Sequence, residues 1–188
     1  KRRNLLITTA GTAAVAQAAR PKPAVRAAEQ PAGKASVRVE ENKVFVETHT
    51  LIAIIDKGYI TSLKSKFSGE EFIRNPDANR FAALQLLYPS GETVGIDEKK
   101  FGSIQARQLS RERAEIIFHS WDGDGVLSLS VDTETGDLLA EPSAYSSRPG
   151  VRACRSSLGG LNPELTMVAP IFQGTALRLD DSLIRDTR

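Results

Sequence analysis

The sequence predicts an all-β domain, a large antiparallel β-sandwich, over residues 36–188. Short apolar runs are separated by turn-forming residues about every 8–12 residues, which is the spacing typical of a sandwich. No convincing amphipathic helical pattern and no repeat of solenoid or propeller length follows residue 35. A single cysteine, Cys154, excludes an internal disulfide, so the fold must depend on its hydrophobic core.

The first strands are predicted from alternation and β-branched content. Residues 44–48 are β-branched and aromatic, and residues 51–55 are nearly all apolar, which predicts a strand covered on both faces. Asp56-Lys57-Gly58 predicts a tight turn. Residues 59–67 alternate, except that Ile60 falls on the polar side of the predicted strand.

The later elements follow the same pattern of apolar runs and breakers. The segments predicted as strands are 81–88, 103–109, 113–120, 126–131, 138–142, 151–158, 165–168 and 175–179. Residues 95–101 are polar and predict a loop. Trp121-Asp122-Gly123-Asp124-Gly125 predicts a glycine-rich turn, and residues 133–137 predict a hairpin tip.

Residues 1–19 predict an export signal. Arg2 and Arg3 followed by Asn4-Leu5-Leu6 are typical of a twin-arginine signal, and Ala16-Gln17-Ala18 resembles a signal-peptidase site. The apolar stretch between them is too short for a membrane span. An ordinary Sec signal and a basic amphipathic tail are the alternatives. Residues 20–35 then read as a flexible linker, and we expect a periplasmic or extracellular location without stable membrane insertion after cleavage.

The basic balance of the whole chain belongs to this leader. The chain has 25 basic and 23 acidic residues, a net charge of +2. Residues 1–34 hold seven of the basic residues and one acidic residue, so the remainder has 18 basic and 22 acidic residues, a net charge of −4. The charge therefore gives no reason to expect a nucleic-acid partner.

Candidate binding residues cluster where one predicted strand ends. Trp121 offers an aromatic face for a sugar ring, and His119 and Asp122 beside it offer polar contacts. The alternative is that Trp121 is a core residue and that His119 and Asp122 are ordinary strand-end and turn residues. Asp122-Gly123-Asp124-Gly125 is similar to a calcium loop but has no closing Glu, which favours a turn.

Other titratable residues have structural interpretations. The densest acidic sets all fall in predicted turns: Glu70-Glu71, Asp122/Asp124 and Asp132/Glu134/Asp137. His49 is predicted at a strand end, and Cys154 as a small buried apolar residue. No phosphate-binding loop, nucleophile elbow or Cys/His metal spacing is present, so we expect no cofactor and no metal site.

Three stretches resemble the galactose-mutarotase-like β-supersandwich that precedes a (β/α)-barrel in several secreted glycoside hydrolases. They are Leu51–Leu63 with Ser68–Ile73, Val131–Leu138, and Leu158–Asp181. The likeness covers about residues 37–188 and rests on core strands and turns. It implies a non-catalytic N-terminal domain that packs on a catalytic barrel following Arg188 and contacts carbohydrate.

Two other functions stay open on the sequence alone. One is a free-standing exported carbohydrate-binding module. The other is a mutarotase-like enzyme, although the two histidines, His49 and His119, do not match the motif of that enzyme class. The partner expected in each case is a carbohydrate or the enzyme's own catalytic domain, and the sequence names neither the sugar nor its linkage.

Overall fold

The computed structural model describes residues 4–6, 35–76, 82–96, 102–120, 123–169 and 175–179. The fold class predicted from the sequence is confirmed, since the described residues form β-strands joined by turns and loops. The strands are β1 Asn4–Leu6, β2 Ser36–Glu40, β3 Lys43–Glu47, β4 Leu51–Asp56, β5 Tyr59–Ser65, β6 Leu84–Leu87, β7 Thr93–Ile96, β8 Ser103–Gln108, β9 Arg113–Ser120, β10 Gly123–Val131, β11 Leu138–Ser146, β12 Ala153–Ser156, β13 Thr166–Ala169 and β14 Thr175–Arg178.

The larger of two compact units spans Gly33–Asn162 and contains three antiparallel sheets. Their strand orders are β2-β3-β4-β5, β11-β10-β9-β8 and β12-β6-β7. The two four-stranded sheets are simple meanders, because each strand pairs with its neighbour in sequence. We call the second one the β8–β11 sheet.

Two-residue turns close the first hairpins. Glu41 and Asn42 connect β2 to β3 with φ of 47° and 67°, and Lys57 and Gly58 connect β4 to β5 with φ of 51° and 84°. Positive φ at both central residues is the type I′ geometry, whose twist matches that of the flanking strands. The turn predicted at Asp56-Lys57-Gly58 is confirmed.

A single hydrophobic core holds the three sheets of this unit together. It is built from the inward side chains of alternate strand positions: Val37, Val44, Val46, Ala53, Ile55, Leu63, Leu84, Leu86, Val94, Ile96, Ala114, Ile116, Phe118, Leu127, Leu129 and Val131. Phe118, Ile116 and Leu129 are at most 1% exposed. Because burying one such side chain contributes roughly 1.5–3 kcal/mol, this alternation determines which face of each strand meets solvent.

A β-bulge explains the irregular alternation of β5. Ile54 is paired with Ser62, but Ile55 is paired with Ile60, so Thr61 is an extra residue on the β5 side. The Thr61 hydroxyl donates a hydrogen bond to the carbonyl oxygen of Ile54 at 3.2 Å. The extra residue brings both Ile60 and Leu63 to the core face, although strict alternation would separate them.

Side-chain amides join β2 to the edge of the β8–β11 sheet. Gln108 accepts a hydrogen bond from Val39 N through Oε1 at 3.3 Å and donates one from Nε2 to Val37 O at 3.1 Å. Asn42 accepts one from Ala106 N at 3.1 Å. These amides satisfy backbone groups of two edge strands that would otherwise be open to pairing with another chain.

Three sequence predictions are wrong. Gly123 to Gly125 are not in a turn but lie in β10, paired with both β9 and β11. Thr93–Ile96 is strand β7, so the loop predicted from residue 95 begins too early. The strand at 51–55 is covered on one face only, since Ala53 and Ile55 are buried while Ile52 is 38% exposed.

Packing explains why strand β10 contains Gly125, one of the glycines on which the incorrect turn prediction was based. A Cβ atom on Gly125 would lie 2.6 Å from Leu84 Cδ1, and Leu84 is fully buried. Gly125 therefore makes room for β6 to pack over β10, which is a common reason for glycine inside a strand.

The smaller unit comprises Lys1–Ala32 with Pro163–Arg188, and its described strands form the sheet β1-β13-β14. Strand β1 pairs with β13 in parallel, and β13 with β14 antiparallel. Asn4, Leu5 and Leu6 of the predicted export signal are the residues of β1, whereas Arg2 and Arg3 lie outside the described residues. Within the described part of the chain, no helix is long and apolar enough to cross a membrane.

Replacement of Gly58 should destabilise the fold more than replacement of a glycine with the same backbone conformation elsewhere. A Cβ atom on Gly58 would overlap the Phe118 ring, and its φ of 84° is unfavourable for other residues. We expect Gly58→Ala to lower the free energy of unfolding by about 2–4 kcal/mol, measured by urea denaturation.

Gly91→Ala is the matched control. Gly91 has a φ of 85°, but nothing lies within 4 Å of the position of its Cβ atom. In this variant only the conformational cost of a positive φ at alanine remains, so we expect the free energy of unfolding to fall by about 1 kcal/mol. Equal losses in the two variants would contradict the packing of Phe118 against this turn.

Candidate functional site

A row of polar and aromatic side chains crosses the solvent face of the β8–β11 sheet near one end. Ser103 of β8 is paired with His119 of β9, His119 with Asp124 of β10, and Asp124 with Tyr145 of β11. Because directly paired residues of an antiparallel sheet point to the same face, these four side chains lie side by side. We call His119, Asp124 and Tyr145 the binding row.

Burial of the opposite face places the binding row in solvent. Phe118 and Gly125, the neighbours of His119 and Asp124 in sequence, are paired with each other and point into the core. Alternation along the strands then turns His119 and Asp124 outward, and both residues are exposed.

His119 and Asp124 form a polar pair. His119 Nδ1 lies 2.9 Å from Asp124 Oδ1, and the two side chains are 55% and 60% exposed. An exposed pair of this kind contributes little to stability. The contact uses one ring nitrogen and one carboxylate oxygen, and more than half of each side chain stays exposed to solvent.

Tyr145 supplies an aromatic surface at the end of the binding row. Its side chain is 70% exposed, more than any other large hydrophobic side chain in the described residues. A phenol ring that is open to solvent on a sheet face can stack on an apolar ligand surface while its hydroxyl group stays hydrated.

Of the three candidate binding residues predicted from the sequence, only His119 lies in the described part of the chain. His119 lies in the binding row, whereas Trp121 and Asp122 are outside the described residues. In the sequence they are the two positions between Ser120 of β9 and Gly123 of β10, which are paired with each other.

Asp124 and Tyr145 were missed as partners of His119. The sequence pattern predicts Asp124 in a turn, which gives its side chain no defined direction, and no local pattern distinguishes Tyr145 from the other aromatic residues. Recognition of β10 as a strand from residue 123 would have placed Asp124 on the same face as Ser128 and Ser130.

The other acidic sets have structural roles. Asp132 Oδ1 accepts hydrogen bonds from the backbone N–H groups of Glu134 and Thr135, at 2.7 and 3.1 Å, and so closes the hairpin between β10 and β11. These two backbone bonds, that of Thr135 first, lower the pKa of the Asp132 carboxyl below its ordinary value. The predicted hairpin tip is confirmed.

Glu71 closes the turn after β5. Its Oε1 accepts hydrogen bonds from Leu63 N at 2.7 Å and Ile73 N at 3.1 Å, and its Oε2 accepts one from the Ser62 hydroxyl at 2.6 Å. Burial alone would raise the pKa of Glu71, but the hydrogen bonds from Ser62, Leu63 and Ile73 outweigh it and lower the pKa. A carboxylate with three donors from its own chain is a structural group.

His49 is far from the binding row. The Cβ atom of an alanine at position 136 would overlap the His49 ring, so His49 packs on the hairpin tip at the Val131 end of β10. His119 is paired at the opposite end of that strand. Seven residue steps of about 3.3 Å separate Asp124, the partner of His119, from Val131, roughly 23 Å in all, so the two histidines do not share a site.

The described residues contain no cluster of three or more His, Cys, Asp or Glu side chains arranged to hold a metal ion. Asp124, once considered for a calcium loop, lies in a paired strand rather than in a loop. Cys154 lies in β12 and is partly buried. Burial raises the pKa of its thiol, which disfavours the reactive thiolate and fits an inert packing residue.

In comparisons with known proteins, no family model, curated protein or solved structure matches this chain.

Glu71 should make the stability of the domain sensitive to acid. Its pKa is lowered in the folded state, so its contribution is present above the ordinary value of 4.5 and is lost as the pH falls through the folded pKa. We expect Glu71→Gln to lower the free energy of unfolding by about 1 kcal/mol at pH 7, allowing for solvent screening, and by less at pH 3.

Urea denaturation at the two pH values measures this difference. Glu134→Gln, at an exposed position of the hairpin tip, is the matched control and should change neither value. An equal loss at pH 7 and pH 3 in Glu71→Gln would show that the charge of Glu71 has no role.

Proposed function

We propose that this chain contains a non-catalytic β-sandwich of a secreted carbohydrate-active enzyme, which contacts carbohydrate through the binding row. The observation that carries the proposal is the placement of Tyr145 beside the His119–Asp124 pair on an open sheet face. The catalytic groups of the enzyme would then lie on another domain, on which this sandwich packs.

The chemistry of the row suits a neutral sugar. A sugar ring has an apolar face that stacks on an aromatic ring, and hydroxyl groups at its edge that both donate and accept hydrogen bonds. Tyr145 supports the first contact, and the imidazole and carboxylate of His119 and Asp124 support the second. The carboxylate of Asp124 gives the row no attraction for an anionic polymer, which favours an uncharged sugar.

The resemblance to galactose-mutarotase-like domains supports the assignment to a glycoside hydrolase, and the twin-arginine pattern supports export. Mutarotase activity has weaker support, because His49 packs on the hairpin tip beyond one end of β10 and His119 is paired near the other end of that strand. A free-standing exported binding module would use the same row, and the presence of a catalytic barrel in the complete protein distinguishes it from the preferred proposal.

Loss of the Tyr145 ring should abolish carbohydrate binding without unfolding the domain. We expect Tyr145→Ala to reduce retention in affinity gels containing cellulose, xylan, β-glucan or galactan at least tenfold for whichever polysaccharide retains the unaltered chain. The urea denaturation curve should be nearly unchanged, since Tyr145 is 70% exposed.

Phe67→Ala is the matched control, because Phe67 is also an exposed aromatic residue, at 60%, and follows β5 rather than lying in the binding row. The control should bind as the unaltered chain does. If none of these polysaccharides retains the unaltered chain, or if Tyr145→Ala binds equally well, the proposed function is wrong.

A further inference from the structure

A shallow cavity of about 210 Å³ lies further along the solvent face of the β8–β11 sheet. Its polar lining includes Arg113 and Glu115 of β9, Ser128 and Ser130 of β10, and Glu141 of β11. Glu115 and Glu141 are both paired with Ser128, so the two carboxylates flank this serine on the same face.

The cavity contains polar side chains that other described residues do not engage. Glu115 is held by Arg107, with 2.7 Å between its Oε2 and the guanidinium. Within the part of the chain that the structure describes, the side chains of Arg113, Ser128 and Glu141 have no hydrogen-bond or ion-pair partner. The site thus offers donors and acceptors close together, and the exposed Leu109 adds an apolar wall.

This cavity and the binding row are aligned along the same strands. Glu141 and Tyr145 both point outward from β11, four residues apart, and Ser128 and Asp124 have the same relation on β10. Four residues of a strand span about 13 Å, which is longer than a single sugar ring. One ligand can reach both places only if it is an extended chain that lies parallel to β10 and β11.

We infer that the cavity is a second sugar subsite, and that the ligand is an extended, neutral oligosaccharide that runs from Tyr145 to Glu141. This inference rests on the proposed function. Each hydroxyl group of a sugar is both donor and acceptor, so vicinal hydroxyls match a set that contains a guanidinium, a serine hydroxyl and a carboxylate. Arg107 and Arg113 offset Glu115 and Glu141 in charge, so the surface has no net attraction for an anionic polymer.

The inference predicts that affinity depends on ligand length. Oligosaccharides from disaccharide to hexasaccharide, prepared from the glucan, xylan or galactan that binds, are titrated into the full chain by calorimetry. We expect the hexasaccharide to bind about tenfold more tightly than the disaccharide, because only the longer ligand reaches the cavity.

Glu141→Gln should lower the affinity for the hexasaccharide about tenfold and leave that for the disaccharide unchanged, with Arg113→Gln as a second variant of the same subsite. Glu134→Gln is the control for the same chemical change at the hairpin tip. Both Glu141 and Arg113 are exposed, so the unfolding curves should not change.

The outcomes separate the two proposals. If binding persists and is lost in Tyr145→Ala, but the hexasaccharide gains nothing over the disaccharide or Glu141→Gln and Arg113→Gln have no effect, the second subsite is wrong and the proposed function stands. If no oligosaccharide or polysaccharide binds, the proposed function fails and the second subsite fails with it.

Discussion

The rest of the β8–β11 sheet depends on the burial of one face of β9 and β10. Phe118, Ile116 and Leu129 can reach the core only in one register, because a shift of one residue would turn every inward side chain of the strand to solvent. That register also determines the outer face. His119 and Asp124 become direct neighbours because the residues beside them, Phe118 and Gly125, are opposed in the core. The candidate site is therefore a consequence of core packing, and it requires no dedicated loop.

The parts of the fold that could be predicted are those set by local patterns. Alternation predicts β10 from Val126 onward, an apolar run between breakers predicts β9, and the glycine after Asp56-Lys57 predicts the hairpin at Lys57 and Gly58. The errors have a common cause, since they depend on contacts between distant segments. Gly125 is a packing residue under Leu84, which is 41 residues earlier in the chain, and no local pattern distinguishes it from a turn glycine. Whether one face or both faces of β4 are buried likewise depends on which other elements pack on its sheet, and the sequence of β4 alone does not show this.

The candidate site was harder to predict than the fold for the same physical reason. His119 could be selected because a histidine near a tryptophan is chemically suggestive. Its partners could not be selected, because Asp124 and Tyr145 come to lie beside His119 only through the pairing of three strands. The register of that pairing cannot be read from the residues near His119 alone. The sequence places Asp124 beside two glycines, and this favours the turn interpretation until the strand partners are known.

The open geometry of the site limits its affinity and suggests how the site would be used. Contacts on an exposed sheet face compete with water, so each contributes on the order of 1 kcal/mol. Three or four such contacts correspond to a dissociation constant of about 1–6 mM. Affinity that weak would be useful if the proposed sugar-binding face is attached to a second domain that acts on the same polymer, because attachment raises the effective concentration of substrate at that domain. A flat face along two strands also leaves both ends of a polymer free, whereas a closed pocket would accept only a chain end. The shape of the site is thus better suited to holding a polymer for another domain than to enclosing a small sugar for chemistry, which requires that water be excluded from the reacting groups.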